Sequence, residues 1–302
     1  MIHRRAAFVV IPLLLAASAQ AQDWKSKYPE LVVAAAPAEN PTAIITRWTP
    51  VAAYLSHELG VKVTIRPAND YAAVIEGQRA GNIHIAQYGG AGYARAAITG
   101  VATEPFLVQV NNDGTKGYYS VFFVRKDSPY RTIADLKGKN LALVDPNSTS
   151  GNNVPRFELD KMGIVPESFF KQVVYAGSHE NVITALQAGT VDISADSWAN
   201  DTDSNLMRMA RKGLVKYDDF RMIHKSDLIM NPLLAYLTAL PADLKAAIRE
   251  AFLQMPVKDR PLFDSLYDGQ KLPWEPVDRA AYEPTIQLIK FVDELRKKKR
   301  SS

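Results

Sequence analysis

Leu141-Ala142-Leu143-Val144 runs into Asp145-Pro146-Asn147-Ser148-Thr149-Ser150-Gly151 and then into the stretch from Asn152 to Met162, with Gly163 just beyond it. The apolar tetrad predicts a buried strand, and the stretch from Asn152 predicts a helix closed by Gly163. Three consecutive hydroxyls therefore sit where a strand turns into a helix. The start of a helix offers unpaired backbone N–H groups and about half a positive charge, so it attracts anions. Hydroxyls add donors that rotate to suit a tetrahedral oxyanion. An ordinary helix cap needs only one Ser or Thr.

Strand-like and helical runs alternate along the rest of the chain. Leu31–Ala35 reads as a strand, Ile44–Leu59 as a helix and Val61–Ile65 as a strand. Tyr71–Ala80 is helical and Ile83–Ala86 is again a strand. This order predicts an α/β fold. Val74–Ala86 is echoed without a gap by Val182–Ser194, each a helix, a glycine cap and a buried strand. The echo points to two similar halves. Each of these strands runs into a polar turn, Gln87-Tyr88-Gly89-Gly90 in one and Ala195-Asp196-Ser197-Trp198 in the other. Ligands of open α/β sheets sit beyond the carboxyl ends of strands, at such turns.

The 302 residues carry 36 Lys and Arg against 32 Asp and Glu, and no cysteine. His3-Arg4-Arg5, the apolar run Ala6–Ala17 and Ala19-Gln20-Ala21 together predict a secretory signal peptide over residues 1–21, with the mature chain starting near Gln22. That apolar run is too short to span a membrane. Without cysteine there is neither a disulfide framework nor a lipid-modified cysteine. The expected product is an exported, periplasmic protein with room for two lobes. Its basic residues are not clustered among stacking aromatics, which argues against a nucleic-acid partner. The basic run Arg296–Arg300 reads as a solvated helix end.

Several further motifs, taken with the hydroxyl run, resemble the phosphonate-binding proteins of ABC importers. They are Asp70-Tyr71-Ala72, Ile85-Ala86-Gln87-Tyr88-Gly89, Gly117–Val121, Lys126-Asp127-Ser128-Pro129, Val154-Pro155 and Ala176-Gly177-Ser178-His179-Glu180. They span about Leu31 to Pro232 in the expected order, and from Pro241 on the resemblance is loose. It implies the two-lobed type II periplasmic binding protein fold with a ligand cleft between the lobes. Lobe 1 would comprise residues 28–119 plus 228–302, and lobe 2 residues 120–227. Crossover strands would lie near Ser120–Val124 and Phe220–Ile223.

The same resemblance implies the site. Ser148, Thr149 and Ser150 would hold the phosphonate oxygens, with His179 joining them. Tyr71 and Tyr118 would contact the ligand from the first lobe. Tyr88 and Trp198 sit on the right turns, with Tyr88 kept as a candidate contact. Relatives that take 2-aminoethylphosphonate bind the ammonium with carboxylates, and the matching positions here are Ala199 and Asn231. Asp196 or Asp201 would be the replacement acid, with Asp196 the stronger candidate and Asn231 a neutral tail contact. The implied function is solute capture, by a monomer, of a phosphonate or a related oxyanion such as phosphite or an alkylphosphonate, for delivery to an ABC permease. No cofactor or metal is called for.

Motifs for catalysis are absent. There is no His-Glu-x-x-His, Gly-x-Ser-x-Gly or phosphate-binding Gly-Lys-Ser/Thr loop, and Ser168–Lys171 lacks the companions of its Ser-x-x-Lys pattern. Two alternatives remain: an enzyme on the same fold using Ser148 and His179 as nucleophile and base, and a ligand-loaded sensor subunit.

Overall fold

The computed structural model describes residues 24–300, so the expected signal peptide lies outside the described residues. Thirteen strands follow in chain order. They are β1 (Glu30–Ala35), β2 (Lys62–Ile65), β3 (Ile85–Tyr88), β4 (Thr103–Asn111), β5 (Gly117–Arg125), β6 (Asn140–Leu143) and β7 (Gln172–Tyr175). They continue as β8 (Ile193–Asn200), β9 (Asp203–Ser204), β10 (Phe220–Lys225), β11 (Ile229–Met230), β12 (Leu233–Leu237) and β13 (Lys271–Pro276). They form two sheets. The first has the order β13-β4-β12-β3-β1-β2, and the second β10-β5-β8-β6-β7, with β9 on β8 and β11 on β5.

β1 pairs parallel with β2 and β3, while β12 runs antiparallel to β3 and β4. In the second sheet β6 pairs parallel with β7 and β8, and β5 runs antiparallel to β8 and β10. The parallel strands are nearly continuous apolar runs because helices cover both faces. β1 buries five of its six residues. Leu31, Val33, Trp48, Leu55, Phe106 and Phe252 share one core on the first sheet, while Val32, Ala34, Val74 and Tyr88 share the other. Val121, Val144, Val182 and Leu186 pack one face of the second sheet, and Phe122, Leu141 and Leu159 the opposite face.

The segments expected near Ser120–Val124 and Phe220–Ile223 to be crossovers are full members of the second sheet. Phe220 pairs with Arg125, Met222 with Phe123 and Lys225 with Val121. The chain passes between the sheets at residues 112–116 and 231–232, so the boundary expected at 119/120 falls inside β5. The C-terminal helix Glu283–Arg300 touches both halves. Ile286 and Ile289 pack on Ala91 and Ala94. Phe291 meets Phe157 edge to face at 5.7 Å.

The two halves of the sequence echo fold alike. The helices Tyr71–Arg79 and His179–Gln187 are each followed by a glycine at φ 73°, Gly81 and Gly189, and then by β3 and β8. Asp70 and Ser178 cap them by accepting the N–H groups of Ala73 and Asn181. These side-chain caps satisfy donors that the helix itself cannot pair.

The decisive turn is tighter than a plain helix start. Thr149–Asn153 forms a π-helical turn, and the α-helix proper runs only over Val154–Lys161, shorter at both ends than Asn152 to Met162. The Asn153 N–H reaches back five residues to the Ser148 carbonyl at 3.1 Å. Such π turns recur at functional sites. Gly151 permits this one. A Cβ there would lie 2.3 Å from Val144 Cγ2 and 2.8 Å from Ser148 Oγ. Gly151→Ala should therefore cost about 1–3 kcal/mol through overpacking. Urea denaturation checks this, and a midpoint equal to that of the wild type would refute the packing argument.

Candidate functional site

Between the two sheets lies a cavity of about 180 Å3. That is far more than the roughly 10–15 Å3 that one water needs. Ser148, Thr149, Ser150 and His179 line it from the second half, and Tyr71 from the first; Tyr118, expected on the first lobe, lines it from β5 of the second sheet. All six are buried. The cavity also sits beyond the carboxyl ends of β1, β3 and β6, where open α/β sheets place ligands.

Each hydroxyl is aligned by its neighbours. Ser148 Oγ accepts the Gly151 N–H at 3.1 Å. Thr149 Oγ1 accepts the Ala91 N–H at 2.9 Å. That bond joins the halves, because the helix Gly90–Ile98 has a glycine cap with no side chain to offer and takes its cap from Thr149 instead. The Ser120 hydroxyl donates to the Ser150 carbonyl at 2.7 Å and ties the turn to β5. Once a hydroxyl oxygen accepts a backbone N–H, its own O–H is left to donate. Tyr71 lies beside Ser148, and Tyr118 beside Ser150 and Thr149. Burial pushes both phenols above their usual range, so they stay neutral donors.

His179 is oriented by Asp196. Its Nδ1 lies 2.6 Å from Asp196 Oδ1, which also accepts the Ser197 N–H at 2.7 Å. Asp196 Oδ2 accepts from Asn205 Nδ2 at 2.9 Å. A carboxylate that only accepts requires the proton on His179 Nδ1, and leaves Nε2 for a ligand. Tyr71 and His179 are the first residues of the two echoed helices, so the halves present one polar side chain each from equivalent places.

The remaining sequence candidates fall differently. Tyr88 does not reach the cavity. It points to the opposite face of β3, in the core with Val74, and its hydroxyl donates to Gln78 Oε1 at 3.1 Å. Side chains alternate along a strand, so with Gln87 on the cavity Tyr88 must face away. Asp196 is fully buried and spent on His179, Ser197 and Asn205, so it is not an acid facing a ligand tail. Asp201 is exposed. Asn231 and Ala199 do line the cavity, as does Trp198. The Asn231 amide nitrogen donates to the Gln109 carbonyl and to Asn111 Oδ1. Ser148 Oγ and His179 have no bond to one another in this arrangement: Ser148 pairs with Gly151, and His179 with Asp196.

Sequence reasoning missed a charged wall on the same cavity. Glu39, Arg47 and Lys271 supply it from the first half, and Asp203 and Arg208 from the second. Glu39 meets Arg47 Nε at 3.1 Å, Arg208 Nη1 at 2.9 Å and Lys212 Nζ at 2.7 Å. Lys271 Nζ donates to Asp203 Oδ2 at 2.5 Å and to Asn111 Oδ1 at 2.6 Å. Asp268 lies behind the wall, paired with Arg47 at 3.1 Å and Arg208 at 3.0 Å. These residues are far apart in sequence, and no local pattern marks them. Among the described residues no cluster of His, Asp or Glu could hold a metal ion, and no helix is long and apolar enough to cross a membrane.

The comparisons agree with one another. The family model described as ABC transporter, phosphonate, periplasmic substrate-binding protein matches residues 33–282. The chain is 34% identical over 211 residues to the phosphonates-binding periplasmic protein of Escherichia coli K12, a match covering 68% of this chain and 60% of that one. It is 28% identical over 268 residues to the phosphate-import protein PhnD of Mycolicibacterium smegmatis, covering 83% and 82%. It also superposes on the crystal structure of a binding-protein component of an ABC phosphonate transporter from Pseudomonas aeruginosa. The TM-score is 0.79 at 26% identity, covering 88% of this chain and 87% of that one. The chain belongs to the phosphonate substrate-binding family, a family of binding proteins rather than enzymes.

The charged wall should tie stability to pH. Burial alone would raise the Glu39 carboxyl, but Arg208, Arg47 and Lys212 outweigh it and hold it below its ordinary 4.5. Asp268 is likewise raised by burial but held below 3.8 by Arg47, Arg208 and Arg211. Groups lowered on folding add stability that is fully present above the unfolded values and is lost as pH falls through the folded ones. Urea midpoints should therefore drop below about pH 4.5, and less steeply in Glu39→Gln. An unchanged acid limb in that variant would contradict the assignment.

Proposed function

We propose that this member of the phosphonate substrate-binding family captures a phosphonate, or a related phosphorus oxyanion such as phosphite, in the periplasm and hands it to an ABC permease. One observation carries the reading. Ser148, Thr149 and Ser150 converge on one buried turn with Tyr71, Tyr118 and His179 around it, and backbone bonds turn the hydroxyl protons of Ser148 and Thr149 toward donation. A phosphonate brings three acceptor oxygens. Hydrogen bonds to an anion are about twice as strong as neutral ones, so several neutral donors can replace a buried cation. A singly protonated phosphonate also carries one P–OH, which a rotating hydroxyl or an unprotonated His179 Nε2 can accept. A sulfonate has no such proton.

Closure is the proposed mechanism. Lobe 1 is residues 28–111 plus 233 onward, and lobe 2 residues 117–230, with the moving joints at 112–116 and 231–232 rather than at the expected 119/120 and 227/228. Bonds between the two sides support a closed state: Thr149 to Ala91, Lys271 to Asp203, and Glu180 Oε2 accepting the Asn40 N–H at 3.1 Å. A ligand touching both sides favours that state by its differential affinity.

Methylphosphonate or phosphite at about 100 times its dissociation constant should add about 2.7 kcal/mol to stability, read as a rise in thermal midpoint. Methanesulfonate should add less. No shift with any phosphorus oxyanion would refute the reading. Thr149→Val keeps the shape but leaves an anion oxygen unpaired. It also uncaps the helix at Gly90, so calorimetry should show a loss of about 1–3 kcal/mol in binding. Unchanged affinity would remove Thr149 from the site.

A further inference from the structure

The hydroxyl turn accounts for only one end of the cavity. The other end is the wall of Glu39, Arg47, Arg208, Asp203 and Lys271, and its bonding is one-sided. Glu39 already receives Arg47, Arg208 and Lys212 on its two oxygens. Asp203 receives Lys271 at 2.5 Å. Asp268 receives Arg47, Arg208 and, at 3.7 Å, Arg211. The carboxylates are thus occupied by cations of the protein itself.

The donors are not used up to the same degree. An ammonium carries three donors, and Lys271 gives two of them to Asp203 and Asn111. The Arg208 Nε is buried against Asp268 Oδ2 at 3.0 Å behind the wall, so Arg208 offers the cavity its charge rather than that N–H. Asn231 has spent both amide N–H groups on Gln109 and Asn111 and adds no donor to this wall. An ammonium arriving here would have to compete for Asp203 or Glu39 while lying beside three cations. Its lost hydration would not be recovered. A carboxylate would meet Lys271 with one donor to spare, in a charge-assisted bond beside the Arg208 guanidinium.

We propose that Lys271 and Arg208 select the ligand's tail, and that the preferred ligand is a phosphonate carrying a carboxylate at its far end. This rests on the reading that the cavity takes a phosphonate. Asp203 acts as the counter-ion that holds Lys271 aimed into the cavity while the site is empty. The pair joins β13 to β9 across the cleft, so tail recognition and closure use the same residues.

Competition calorimetry on the purified protein with three ligands of matched length tests this. They are 3-phosphonopropionate, propylphosphonate as its neutral counterpart, and 2-aminoethylphosphonate. The carboxylated ligand should bind at least about tenfold more tightly than propylphosphonate, and the aminated ligand more weakly than it. In Lys271→Gln and in Arg208→Gln the ratio of carboxylated to neutral affinity should collapse toward one. A thermal melt confirms that each variant is folded, and if neither folds the wild-type ranking decides. Equal affinity of 3-phosphonopropionate and propylphosphonate, or a preference for 2-aminoethylphosphonate, would overturn the proposal and leave phosphonate capture intact. Silence toward all three, and toward methylphosphonate as well, would overturn both.

Discussion

The Val144 N–H bonds the Gly151 carbonyl at 2.9 Å, and this closes the chain back onto the end of β6. Only a residue without a Cβ can lie that near Val144 and Ser148. The closure winds Thr149–Asn153 into a π turn, sets Ser148 to accept the Gly151 N–H, and leaves Thr149 projecting toward the other half of the molecule. From there Thr149 caps the helix Gly90–Ile98, whose own cap residue, Gly89, has no side chain to offer. One backbone contact thus fixes the anion donors and the join between the halves.

The donors around the turn are neutral by construction. Burial keeps the Tyr71 and Tyr118 phenols protonated, and it also raises the Asp145 carboxyl at the base of the turn. Asp145 is compensated in part by the Asn147 and Tyr71 N–H groups, which puts Tyr71 in register with the hydroxyl run. Charge is concentrated instead at the opposite end, where every acid of the wall is held by at least one Arg or Lys. This division suits a ligand with a tetrahedral head and a distinct tail. The head meets dipoles that need no counter-ion. The tail meets ion pairs whose free energy of desolvation is already met within the fold.

Much of this was legible in the sequence because it is local. The alternation of β1, the helix Pro41–Leu59, β2 and β3 follows from apolar periodicity, and the observed ends coincide with the expected ones or differ by up to three residues. The trio, its glycine and the echoed caps before Tyr71 and His179 are adjacent residues with local reasons to be where they are. What failed depended on facing or on distance. Tyr88 was placed on the right turn but on the wrong face, one residue out of phase with Gln87. Asp196 was read as a ligand acid, whereas it supports His179 from behind. The pair Lys271–Asp203 joins residues 68 apart, and Arg208–Glu39 residues 169 apart. Nothing in either neighbourhood announces them.

The account stands on the oxyanion being held by the hydroxyl turn. A crystal structure of the protein with methylphosphonate tests that directly. The account predicts the phosphorus group between Ser148, Thr149 and Ser150, with its oxygens about 2.5–3.0 Å from their hydroxyls and a further contact from His179 Nε2. A ligand seated instead against Arg208 and Lys271, with the hydroxyl turn unengaged, would contradict it.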